Sequence, residues 1–285
     1  MSKLREFYNR FRCVLEDKVL TAPYLGYVPQ FNFDEEVLTS KMAELKLQGY
    51  TSLGQIFNID ELASLHKIID NAVSDRIPGI IVDWSDKVEY WTIRNPLRLD
   101  QLIINSAMNP LCIALAERYF GRMPYLSDVD MRRIPPANMQ QLQTKGYSSS
   151  NWHRDTRGRQ LKIMIYLTDV DELDSNFSFL PATHIGAHNR KAEYMASRFS
   201  DEEVNGMQIK PQEWYGKAGT AMLFDTNLIH RLRRKVTGSV RDTVTFYYTP
   251  GQNTWHLDFD ESLVAKLPKQ VSAIFGNPSW PFKRA

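Results

Sequence analysis

The feature that most limits how this chain can fold is a set of short β-prone runs spaced through its second half. They are Leu126–Ile134, Leu161–Leu167, Phe177–His184, Gly219–Asp225 and Arg241–Thr249. Each is rich in β-branched and aromatic residues and is bounded by turn-forming residues, among them Pro135-Pro136 and Pro250-Gly251. The N-terminal third reads differently. Asn58 followed by Glu61 is a helix-capping pair, and Leu62, Leu65, Ile68, Ile69, Ala72 and Val73 then form one apolar stripe at helical spacing. Leu102–Phe120 reads as a second helix, stopped by Gly121. The expected fold is therefore mainly β with flanking helices. No Gly/Ser/Pro-rich linker or internal repeat divides the 285 residues, so a single domain over 1–285 is expected. In that reading 1–125 is mainly helical, 126–250 is the β core, and 251–285 is a C-terminal extension.

Chemistry-bearing residues sit at the ends of these runs. His153-Arg154-Asp155 places two side chains on one side of an extended segment, because strand side chains alternate. His230 follows the Gly219–Asp225 run. Two histidines and one carboxylate on one face of a metal leave three positions open, the arrangement of non-haem Fe(II) oxygenases. Eleven residues further on, Arg241 opens the last run. Its guanidinium suits a carboxylate-bearing co-substrate, which it can grip with two parallel hydrogen bonds.

With these residues in view, the stretch from about Ala43 to Pro250 resembles the phytanoyl-CoA dioxygenase (PhyH) family of Fe(II)/2-oxoglutarate oxygenases. Four blocks carry the resemblance: Leu47–Leu53 with Ile59–Leu62; Asn109–Cys112 through Tyr119–Gly121; Trp152–Asp155 with Ile165–Val170 and Phe179–His184; and Ala218-Gly219-Thr220 through His230 with Arg241. The resemblance implies a double-stranded β-helix, the jelly-roll or cupin-like barrel. It further implies His153, Asp155 and His230 as iron ligands, Arg241 as a 2-oxoglutarate anchor, and O2 as the oxidant. Hydroxylation of a C–H bond with release of succinate and CO2 is the default outcome; desaturation, cyclisation and epoxidation use the same ligands. Ala182 stands where the family has Gly in a Pro-Gly-Ser/Thr-His turn, which bears on turn geometry. Halogenating relatives lack the carboxylate ligand, and this chain keeps Asp155.

Two further residues follow from strand alternation. Lys162 shares a face with Met164 and Tyr166. If that face is internal, as the resemblance implies, an unpaired lysine there would be costly. A bound dicarboxylate would pair it; a rim position with the ammonium in water is the alternative. Thr243 shares the Arg241 face and is positioned to donate to the same carboxylate. The partner of the second carboxylate is expected on Leu126–Ile134.

A net charge of +2 gives no global argument for a nucleic-acid or membrane partner. A small-molecule substrate is expected. Local basic clusters, Arg154, Arg157 and Arg159, then Arg231, Arg233, Arg234 and Lys235, read either as a solvated rim or as the mark of an anionic substrate. Residues 185–214, with a capping signature at Ser200–Glu203, read either as a surface excursion or as a lid carrying Tyr194, Met195 and Phe199. The two cysteines, Cys13 and Cys112, match no disulfide framework or zinc spacing. No run is long enough to span a bilayer, and the opening Met-Ser-Lys-Leu-Arg-Glu is unlike a signal peptide. A cytoplasmic location is expected. A non-catalytic barrel and an oxygenase acting on a macromolecule are the readings from other classes.

Overall fold

A computed structural model of the chain describes residues 28–75, 80–83, 90–138, 150–155, 159–188, 198–251 and 257–275. Two antiparallel sheets face one another. The larger has seven strands in the order β1-β10-β6-β12-β4-β3-β2, with β1 at Tyr50–Gln55, β2 at Ile81–Asp83, β3 at Trp91–Arg94, β4 at Tyr125–Ile134, β6 at Leu161–Tyr166, β10 at Thr220–Asp225 and β12 at Arg241–Thr249. The smaller has five, β8-β5-β11-β7-β9, with β5 at Trp152–His153, β7 at Asn176–Leu180, β8 at Arg198–Phe199, β9 at Gln212–Trp214 and β11 at Ile229–Arg233.

The two faces of the larger sheet do different work. On its outer face Ile163, Ile165, Leu223, Val244 and Phe246 are buried against helices α1 (Glu35–Gln48), α2 (Ile59–Asp75), α3 (Gln101–Ala107) and α4 (Pro110–Phe120). On its inner face Met164, Tyr166, Met222 and Phe224 meet Phe177, Phe179 and Trp214 of the smaller sheet. The alternation expected of Lys162, Met164 and Tyr166 is thus inward, and the aliphatic residues between them face the helices.

Local chemistry explains the element ends. Asn58 accepts from the Asp60 and Glu61 amides while Glu61 accepts from the Asn58 amide, the reciprocal cap of α2. The run 102–120 is two helices rather than the single one expected. Pro110 has no N–H to continue a helix, and Asn109 instead caps α4 by accepting from Cys112 N at 3.3 Å. Gly49 ends α1 at φ 85°, and a Cβ there would lie 2.6 Å from His184 Nδ1, so this tight passage into β1 requires glycine.

The N-terminal part is less purely helical than expected, because β1, β2 and β3 extend the larger sheet on both sides of the 126–250 core. The 185–214 segment is also more than an excursion. It supplies both edge strands of the smaller sheet, β8 paired to β5 and β9 paired to β7, and the helix α5 at Asp201–Gly206 with its Ser200/Glu203 capping box. After β12, Phe259 and Phe275 pack edge-on against each other, ring centroids 5.2 Å apart, and join the helical core; Trp255, Trp280 and Phe282 lie outside the described residues. Cys112 is buried in the same core, and burial pushes its thiol up to about 12; Cys13 lies outside the described residues.

Candidate active site

Antiparallel pairing brings the two histidines together. His153 on β5 lies directly opposite His230 on β11, and directly opposed residues project from the same face. Their ring centroids are 4.4 Å apart. Asp155 follows β5 and is fixed by its amide donating to Thr226 O at 3.1 Å. Its two oxygens lie 3.3 Å from His153 Nε2 and 3.4 Å from His230 Nε2. The three potential ligand atoms all fall within 4.8 Å of one another.

Both rings are oriented in the same way. His153 Nδ1 is 2.7 Å from Asn151 O, and His230 Nδ1 is 2.7 Å from Leu228 O. A carbonyl can only accept, so each Nδ1 carries the proton and each Nε2 presents a lone pair. Burial lowers the His230 pKa further, which favours the neutral ring that a metal requires. Burial alone would raise the Asp155 carboxyl. The Lys162 ammonium paired with it outweighs that and holds the group well below the usual carboxylate range. Two neutral imidazoles and a carboxylate form a donor set that fits Fe(II).

The opposite wall comes from the larger sheet and closes a cavity of about 370 Å³. Lys162 projects into it from β6. Its Nζ pairs with Asp155 Oδ2 and sits 4.5 Å from the centroid of the Tyr247 ring, so the lysine is inside rather than on a solvated rim. Arg241 is 4% exposed. Its Nη1 donates to Ser175 O at 3.3 Å, and its Nε–H is buried without a partner among the described residues. Burial works against its charge, as do the nearby guanidinium groups of Arg132 and Arg234.

Arg132, on β4, is the cation that the 126–134 strand contributes. It donates to Asp130 Oδ2 at 2.7 Å, an oxygen that also accepts from the Tyr247 hydroxyl at 2.5 Å, and its Nε–H is likewise buried without a partner. Sequence reasoning did not single it out. The signal was Asp128, Asp130 and Arg132 at alternate positions of a strand flanked by apolar residues. Thr243 is buried on the Arg241 face, in register with Arg132 and Tyr166, but the cavity is lined by Thr245, two residues further along. Two guanidinium groups, each with a buried and uncommitted Nε–H, in one cavity with a metal triad, fit a dicarboxylate.

Residues 46–243 match the model of the phytanoyl-CoA dioxygenase (PhyH) family. The chain belongs to that family. No curated protein sequence matches it. Among solved structures, it is similar to SnoN, a non-haem α-ketoglutarate-dependent epimerase from nogalamycin biosynthesis, with TM-score 0.61 and 14% identity over 76% of this chain and 84% of that one. SnoK, a carbocyclase of the same type and biosynthesis, gives TM-score 0.59 and 15% identity over 85% and 94% of the two chains. EctD from S. alaskensis, solved with 2-oxoglutarate and 5-hydroxyectoine, gives 0.58 and 18% over 80% and 82%. At these identities the likeness concerns the fold, the double-stranded β-helix of 2-oxoglutarate oxygenases.

Most of the basic residues that stood out in this PhyH-family sequence do not face the cavity. Arg231 and Arg233 alternate outward on β11, where Arg231 pairs with Asp201 at 2.9 Å and Arg233 pairs with Glu213. Arg159 donates to Tyr119 O at 2.7 Å, and Lys235 donates to Glu172 O. Arg154 does line the cavity, but its guanidinium is held by Asn227 O at 2.7 Å and Thr183 O at 3.1 Å. Phe199 packs with Trp152 and Leu180 and lies under Arg154 rather than over the cavity. Arg157, Tyr194 and Met195 lie outside the described residues. Among the described residues no helix is long and apolar enough to cross a membrane.

Proposed function

We propose that this chain is an Fe(II)/2-oxoglutarate-dependent oxygenase that oxidises an unactivated C–H bond of a small-molecule metabolite, by default through hydroxylation. The observation that carries the reading is one cavity holding both the His153/Asp155/His230 triad and a buried Arg241 with an uncommitted donor. A barrel that merely stored metal would have no use for the second. Iron bound with 2-oxoglutarate supplies the activation of O2 and the oxidative decarboxylation that yields succinate and CO2.

The protein's own residues have three tasks. His153, Asp155 and His230 would hold the metal at the cavity wall, three protein ligands being too few to fill its coordination. Arg241 and Arg132 receive the co-substrate carboxylates, with Lys162 and Thr245 between the two ends of the cavity. Tyr166, Phe177, Trp214 and Phe224 exclude water from the interior behind the site. Anaerobic absorption tests the assignment. Fe(II) and 2-oxoglutarate together should give a weak visible charge-transfer band that neither gives alone. Absence of that band at saturating concentrations of both would overturn it.

A further inference from the structure

The cavity is far more positive than the chain that builds it. Its lining carries Arg132, Arg154, Lys162, Arg198 and Arg241 against one carboxylate, Asp155. Asp130 lies just behind, on Arg132. Under the function proposed above, a divalent metal and the two carboxylates of 2-oxoglutarate are added. Five cations and the metal then stand against Asp155, Asp130 and the co-substrate, a formal excess of three positive charges. The chain as a whole carries +2, so the excess belongs to the cavity and is not a sample of the surface. Like charges gathered around one cavity focus a positive potential there that favours an anionic ligand.

One of these cations is free to do so. Arg198 lies opposite His153 in the β5–β8 pair, so its side chain leaves the sheet on the metal-ligand face. It sits one strand spacing, about 4.8 Å, from a ligand strand and lines the cavity mouth. The neighbouring arginines of the smaller sheet are occupied: Arg231 by Asp201, Arg233 by Glu213, and Arg154 by two carbonyls. Arg198 is exposed and, among the described residues, its side chain has no hydrogen-bonding or ionic partner. It also lies beside the triad, on the smaller sheet, whereas Arg241 and Arg132 stand on the larger one. The two cationic positions can therefore serve different ligands.

We infer that the substrate is a small anion whose carboxylate or phosphate is held by Arg198 at the cavity mouth, with the oxidisable carbon set toward the metal. The inference rests on the oxygenase reading. Its test starts from protein loaded anaerobically with Fe(II) and 2-oxoglutarate, so a failure of that reading is seen as a missing visible band before any probe is added. Matched probes are then titrated: hexanoate against hexanamide, and hexyl phosphate against hexanol. Perturbation of the band should occur at concentrations about tenfold lower for an anion than for its neutral partner. Whether hexanoate or hexyl phosphate acts at the lower concentration tells which group Arg198 holds. In Arg198→Gln the anion response should weaken about tenfold and the neutral response should stay where it was. The band itself reports that the variant is folded. Equal responses to charged and neutral probes, including none from either, would overturn the inference. So would an unchanged anion response in Arg198→Gln, or loss of the band, which would put the anion in the co-substrate position.

Discussion

The two ends of the cavity are built by opposite means. At the metal end, short strands of the smaller sheet carry His153 and His230, and each ring is aimed by the carbonyl two residues before it. Both Nδ1–H groups have carbonyl partners and Asp155 is paired with Lys162, so the geometry stands before a metal arrives. At the arginine end, long strands of the larger sheet carry Arg241 and Arg132, and each keeps a buried Nε–H unpartnered. One end is preorganised and the other is left unsatisfied. A buried donor without a partner costs about 1–3 kcal/mol, which a ligand that satisfies it recovers as affinity. The difference teaches that the metal should bind without co-substrate, and that co-substrate affinity should depend on the arginines.

The largest effect should come from breaking the metal end. His230→Ala should abolish turnover and reduce Fe(II) affinity by more than the roughly 10–100-fold expected for loss of a residue that merely supports a ligand. Iron retained per chain after desalting measures this. Full activity in the variant would remove His230 from the ligand set.

Breaking the arginine end should leave iron in place. Arg241→Ala should cost on the order of 2–5 kcal/mol of 2-oxoglutarate binding, at least a tenfold rise in its apparent constant, with Fe(II) saturated. Arg241→Lys should recover part of that, because an ammonium lacks the planar fork. Indistinguishable 2-oxoglutarate titrations of wild type and Arg241→Ala would place the anchor elsewhere.

Lys162 sharpens the comparison because it touches both ends. The pair with Asp155 assigns it to the metal end. Lys162→Met should then weaken Fe(II) binding about 10-fold, the lower bound for a residue that orients a ligand, and change 2-oxoglutarate affinity less. The opposite pattern would move Lys162 to the arginine end.

The smallest effect concerns the turn beneath the metal end. Ala182 adopts φ 63°, and the next residue, Thr183, accepts from Ile229 N beside His230. A left-handed residue with a Cβ costs about 1–2 kcal/mol, and glycine costs about 0.4–1 kcal/mol of extra unfolded-state entropy. Ala182→Gly should therefore raise the melting temperature by roughly 1–2 °C. A lower melting temperature would contradict the strain at this turn.

Much of this was written locally. Strand alternation put Lys162, Met164 and Tyr166 on one face, and the helices took the other. His-x-Asp could be read as a ligand pair because period two operates within a few residues. The caps at Asn58 and Ser200 were equally local. Reading was incomplete at one local break and where a partner was distant. The run 102–120 reads as one helix because its apolar pattern resumes after Asn109-Pro110, where the chain breaks. The basic clusters read either as a rim or as the mark of an anionic substrate, because the acids that pair Arg231 and Arg233 on the outer face, Asp201 and Glu213, are far away in sequence.

What the sequence determined by itself is the periodicity: which residues turn inward, where helices are capped, and which types of ligand lie at strand ends. Tertiary structure alone decided which inward residues meet. The register of β5 against β11 and β8 aligned His153 with His230 and Arg198, the register of β4 against β12 set Arg132 diagonally beside Arg241, and the packing of two sheets brought these two groups to one cavity. Register and sheet packing depend on the sum of many weak contacts across the whole chain, so no single segment encodes them.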